Sequence, residues 1–145
     1  MLTLDQAAMI IDTALAQARR MGLKPLCIVV LDAGGHMLAL KRDERASFAR
    51  PQIATAKAAG CLGMGFGGRD VARRAQERPT FYAALASILP QGLVPVAGGV
   101  LIRDAAGALL GAVGATGDTS DNDEACAIAG IHAAGLEADT GAAAL

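Results

Sequence analysis

The chain has 145 residues, enough for one domain with a real core, and carries 13 Lys and Arg against 14 Asp and Glu, a net charge of −1. That balance leaves no cationic footprint for nucleic acid or an anionic membrane, and apolar runs such as "LCIVVL" are too short to span a bilayer. Hydrophobic residues make up 53% and charged residues 19%, so part of the apolar surplus is expected at the interface of a homo-oligomer.

Thr3 and Gln6 read as a capping box, followed by Leu4, Ala8, Ile11, Leu15 and Ala18 at helical spacing and Gly22 as a stop. "PLCIVVLD" is a buried strand, "AGG" a turn, and "HMLALKR" the returning strand. The middle is helical: "PQIATAKAAGCLG", then the arginine-rich "GGRDVARRAQER", which reads as a solvated face, then "PTFYAALASIL" opened by Pro79. In "LVPVAGGVLIRD" a short strand, a break at Gly98-Gly99 and a further strand are expected. "ALLGAVGAT" is the last strand and "DNDEACAIAGIHAAGLEA" the final helix, with residues 139–145 fraying. The order αββ–ααα–βββα predicts one α+β domain over 1–145, an antiparallel sheet of about five strands with flanking helices.

Cys27, Cys61 and Cys126 are odd in number and form no CxxC pair, which suits buried thiols in a reducing compartment. "MLTLDQAAMI" lacks a basic n-region and carries Asp5, so a cytoplasmic protein is expected.

The stretch "GAVGATGDTSDNDEA" (residues 111–125) combines glycines with four carboxylates, but it is neither GxGxxG nor a P-loop, and it lacks the central Gly and the length of an EF-hand. Helix capping by Ser120 or Asp121, with Asp121 and Glu124 at capping-box spacing, accounts for the acids better than a metal site, and no metal is expected.

"VVLDAGGHMLALKRDERAS", "IATAKAAG" and "VPVAGGVLIRDAAGALLGAVGATGDTSDNDEACAIAG" together resemble the GlcG/HbpS family, the haem-degrading domain family, across residues 3–137. The resemblance implies a profilin-like antiparallel sheet, assembly as a homo-oligomer (octamer or tetramer), and haem as a ligand in some relatives. Other relatives are encoded beside glycolate or aromatic catabolic genes. The chain departs from the family's iron-sensing pattern in lacking an E-x-x-E pair and a histidine in the first helix. Leu101 stands where relatives commonly show Pro.

The candidate site residues follow from those motifs. His36 is the better histidine for coordinating haem iron, its alternative being an exposed polar residue after a turn; His132 lies mid-helix. Arg42 can fork onto a carboxylate or a haem propionate, or make an internal contact. Lys57, alone in an apolar helix, either snorkels to solvent or faces a cleft where burial lowers its pKa. Asp123 is expected to pair with it, and Gly98 and Gly99 to offer backbone N–H groups to an anion. Two functions fit. One is a small-ligand-binding protein, with haem on His36 and propionates on Arg42 and Lys57. The other is a cofactor-independent catabolic enzyme, with Lys57 or Asp123 as the acid–base group in tautomerase-type chemistry on a small carboxylated or enolic metabolite. A purely accessory subunit is the third possibility.

Overall fold

The computed structural model of the chain describes residues 1–142. Helix α1 (Leu4–Arg20) begins at the Thr3–Gln6 capping box and buries Ala7, Ile10, Ile11, Ala14 and Ala18, the three-to-four spacing that gives a helix one apolar stripe. Strands β1 (Cys27–Asp32) and β2 (Met37–Arg42) form an antiparallel hairpin. Three helices follow, α2 (Arg50–Met64), α3 (Gly68–Glu77) and α4 (Pro79–Ile88). Then come β3 (Gly99–Arg103), β4 (Leu109–Thr116), α5 (Ser120–Ala133) and β5 (Glu137–Asp139).

The five strands make one antiparallel sheet in the order β2-β1-β4-β3-β5. Successive side chains of β1 point to opposite faces, so each face receives alternate residues. Ile28 and Val30 join Val100, Ile102 and Val113 beneath α1 and α5. Cys27, Val29 and Leu31 join Leu101 and Ala112 beneath α2. Both faces are covered, which explains why β1 is an unbroken apolar run.

Glycines on the α2 side let that helix approach closely. A Cβ at Gly114 would lie 1.9 Å from the Ala54 carbonyl oxygen, and one at Gly99 would lie 2.5 Å from that of Lys57. Gly99 and Gly114 are direct partners across β3 and β4, so together they form a flat seat for α2. This seat fixes where Lys57 sits.

The α+β class, the number of strands and the order of the helices are as the sequence predicts; one strand lies elsewhere in the chain, and the final helix is shorter. Residues 93–97 form no strand: Pro95 has no N–H to give to a ladder, and Val96 N donates to Val94 O in a tight turn. The fifth strand is instead β5, after α5, which pairs with β3 and is tied to it by Arg103 Nε donating to Asp139 Oδ2 at 2.9 Å. The final helix stops at Ala133 because Gly135 turns into the left-handed region at φ 77°. Within the segment expected to fray, Asp139 lies in β5 and Thr140 O accepts from Arg69 N at 2.9 Å. Residues 143–145 of that segment lie outside the described residues. The cap of α5 is Thr119, whose hydroxyl accepts from Asn122 N, in place of the expected Ser120 or Asp121.

Candidate functional site

Lys57 sits in the middle of α2 and reaches across the glycine seat toward the start of α5. Its Nζ donates to Ala115 O at 3.0 Å and lies 3.4 Å from Asp123 Oδ2. The two side chains are 4% and 2% exposed, so the pair is sealed from solvent within the subunit. Burial pushes the Lys57 ammonium down from its ordinary pKa, opposed by the Asp123 charge and hydrogen bond. Burial pushes Asp123 up, opposed by the Asp118 N–H and by Lys57. Desolvation therefore works against both charges, and each is held by the other as counter-charge.

Gly98 completes the arrangement at φ 116°. A Cβ there would stand 2.9 Å from Lys57 Nζ and 2.7 Å from Ala115 O, so only glycine leaves the ammonium its place. Arg50 closes the adjoining edge, donating from Nη1 to Thr116 Oγ1 at 2.9 Å. On the outer side of α5, Arg69 bridges Asp121 and Glu124, while Glu124 Oε2 is buried without a hydrogen-bond partner among the described residues.

The structure thus gathers Lys57, Asp123, Gly98 and Gly99, and leaves His36 and Arg42 elsewhere. The sequence reading has one haem on His36 with its propionates on Arg42 and Lys57, and the register of the sheet holds these groups apart. β1 runs from Cys27, opposite Thr116, to Asp32, opposite Gly111. Five steps along a strand separate the ends by about 16 Å, and His36 lies beyond Asp32 in the hairpin. Arg42 shares the Cys27 end but stands on the outer strand, with Cys27 between it and Thr116. Its Nη1 donates to the carbonyls of Asp43, Glu44 and Ala46, at 2.7 Å for the last. Within one subunit Arg42 and Lys57 cannot hold the propionates of a haem whose iron sits on His36.

The His36 end has its own geometry. Asp32 Oδ1 accepts the backbone N–H groups of Gly34 and His36 and lies 3.3 Å from His36 Nδ1. These contacts, the His36 N–H foremost, hold the Asp32 carboxyl below its usual range. The imidazole packs over Gly34, where a Cβ would be 3.0 Å from the ring. Beside it is an open cavity of about 340 Å³ lined by Met1, Leu2, Leu109 and Leu110. The contribution of Asp32 escaped the sequence reading, although the spacing of aspartate and histidine across a two-glycine turn carried the signal.

The cysteines offer no nucleophile. Burial pushes the thiols of Cys27 and Cys126 up to about 11 and that of Cys61 to about 12, so all stay protonated at neutral pH. Among the described residues no group of three or more His, Cys, Asp or Glu is placed to hold a metal ion, and no helix is long and apolar enough to cross a membrane.

A family model described as haem degrading protein HbpS-like matches residues 2–132. The structure of a PduOC:heme complex superposes with a TM-score of 0.82 at 22% identity, over 94% of this chain and 96% of that one. HbpS superposes at 0.78 with 28% identity, over 90% of this chain and 88% of the other. Protein ORFY of Klebsiella pneumoniae gives 0.81 at 22% identity, over 92% and 90%. No curated protein matches the sequence.

Proposed function

The chain belongs to the HbpS-like haem degrading protein family, and from that premise we propose that it is a small-ligand-binding protein whose ligand is haem, held at the His36 end of the sheet. The observation that carries this reading is the Asp32–His36 contact. A carboxylate facing Nδ1 fixes the tautomer and leaves Nε2 as the coordinating nitrogen, the arrangement that ligating histidines commonly have. The His36 side chain is 83% exposed, so the imidazole is open to a ligand. Leu2, Leu109 and Leu110 supply an apolar edge for a porphyrin. A solved relative is a PduOC:heme complex, which supports haem as the ligand class.

Titration of the purified protein with hemin tests this. A saturable Soret shift is expected, lost in His36→Ala and weakened roughly tenfold or more in Asp32→Asn, the usual effect of removing a group that orients a metal ligand. A shift unchanged in His36→Ala would remove the histidine from the site. The reading extends to a homo-oligomer, tetramer or octamer, in a reducing cytoplasm, supported by the exposed Phe48, Ile88 and Leu4 and by the three free thiols.

The acid–base reading rests on one observation: burial lowers Lys57 and raises Asp123, which brings the two groups closer in proton affinity. Both side chains are closed to solvent in the subunit, and Arg42 stands apart from them as a carboxylate clamp. Turnover of a small enolic or carboxylated metabolite that survives Lys57→Ala would exclude these residues as its catalysts.

A further inference from the structure

A groove of about 300 Å³ lies between the C-terminal turns of α1 and the end of β2; Arg42 lines it, while His36 and Asp32 do not. Its apolar wall is Leu15, Leu23, Pro25 and Leu26. Facing this wall are five cations, Arg19, Lys24, Lys41, Arg42 and Arg45, and two carboxylates, Asp43 and Glu44. The surplus is three positive charges. Asp12, which grips Lys41 at 2.7 Å, reduces it to two.

The cations differ in how they are engaged. Arg45 is held on both oxygens of Asp43, at 3.1 and 3.0 Å, which spends that carboxylate. The side chains of Arg19 and Lys24 meet no acceptor among the described residues; Lys24 is anchored only through its backbone N–H, on Asp118. Arg42 is the informative one. Three carbonyls of the 43–46 turn take up its Nη1, which fixes the guanidinium plane, while Nε and Nη2 have no acceptor among the described residues. A planar fork already immobilised by its far nitrogen, with its side-on edge unspent, is ready to receive a carboxylate through two parallel hydrogen bonds. Holding it beforehand removes part of the ordering cost of binding.

We propose that this groove binds a small amphipathic carboxylate, its acid group on Arg42 and its apolar body against Leu23, Pro25 and Leu26. The volume stands at the small end of ligand sites, which restricts the ligand to a body of one or two rings or a short acyl chain. Arg19 and Lys24 supply the surrounding positive field and draw the anion in. The site is independent of His36, which lies beyond the opposite end of β1.

Fluorescence titration of the full chain with 2-naphthoate, beside its neutral amide, tests the proposal. Saturable binding of the acid is expected, at least tenfold tighter than that of the amide. Arg42→Lys keeps the charge but loses the fork, and should weaken the acid about tenfold, the loss expected for a charge-assisted bidentate contact. Arg19→Gln, which removes no internal contact, should weaken it less and steepen no transition in thermal unfolding. Equal binding of acid and amide, or full affinity in both variants, would overturn the proposal. So would loss of naphthoate binding in His36→Ala, or its displacement by hemin, because either would place both ligands on one surface. A hemin titration that fails while naphthoate still binds would instead count against the haem reading alone.

Discussion

The Lys57 ammonium and the Asp123 carboxylate have no solvent to fall back on, so removing one leaves the other charged and desolvated. Lys57→Met is expected to cost about 3–5 kcal/mol in urea unfolding, the range for breaking a buried ion pair. The double variant Lys57→Met with Asp123→Leu should recover much of that loss, since no orphaned charge then remains. Asp118 works differently, at the surface. Asn122, Lys24 N and Thr119 N donate to it and hold its pKa at about 2, against an ordinary 3.8. The folded state therefore binds fewer protons than the unfolded one between those values. The resulting stabilisation is present above 3.8 and is lost as pH falls through 2. Melting temperatures compared at about pH 5 and pH 2.5 should fall less in Asp118→Asn than in the parent. Of these residues, the Lys57–Asp123 pairing was legible in the sequence, because a lone lysine in an apolar helix needs a counter-charge and Asp123 opens the last helix. The carboxylate behind His36 was overlooked: its spacing from the histidine was in the sequence, but only the folded turn shows Oδ1 beside the ring.

At the level of elements, the seat of α2 on the sheet depends on two missing side chains. A methyl group at Gly114 meets the Ala54 carbonyl oxygen inside any tolerable distance, with backbone on both sides. Gly114→Ala is expected to destabilise by about 3 kcal/mol or more through forced separation of helix and sheet, measured by chemical denaturation. Gly107→Ala makes a useful contrast. That turn position has open space but φ 87°, so its cost should be only about 1–2 kcal/mol of backbone strain. The helices were readable from their caps and apolar spacing, and the β1–β2 hairpin from its glycines. Residues 93–97 were misread as a strand because their unbroken apolar run outweighed Pro95, and β5 was missed because three residues carry no period to detect. Its pairing is a tertiary event, supplied by the open edge of β3 and by the Arg103–Asp139 bridge.

For the whole molecule, the sheet order separates what the sequence sets side by side. Arg42 and His36 are only six positions apart, yet the extended strand between them puts them at opposite ends of the same hairpin, about 20 Å apart. Apolar groups left outside both cores, Phe48 at 89% exposure and Ile88 at 72%, mark surface that assembly would cover. Sedimentation should give a species of four or eight 14.6 kDa chains, and Phe48→Glu with Ile88→Asp should shift it toward the monomer. A mass of one chain in the unmodified protein would count against assembly. The three thiols, Cys27 in β1 beneath α2, Cys61 within α2 and Cys126 in α5, have a practical consequence. Being enclosed and protonated, they ought to ignore maleimide until the architecture opens around them. Alkylation kinetics then become a clock for that opening: slower labelling with a bound guest present would report its grip, without any chromophore or engineered tag.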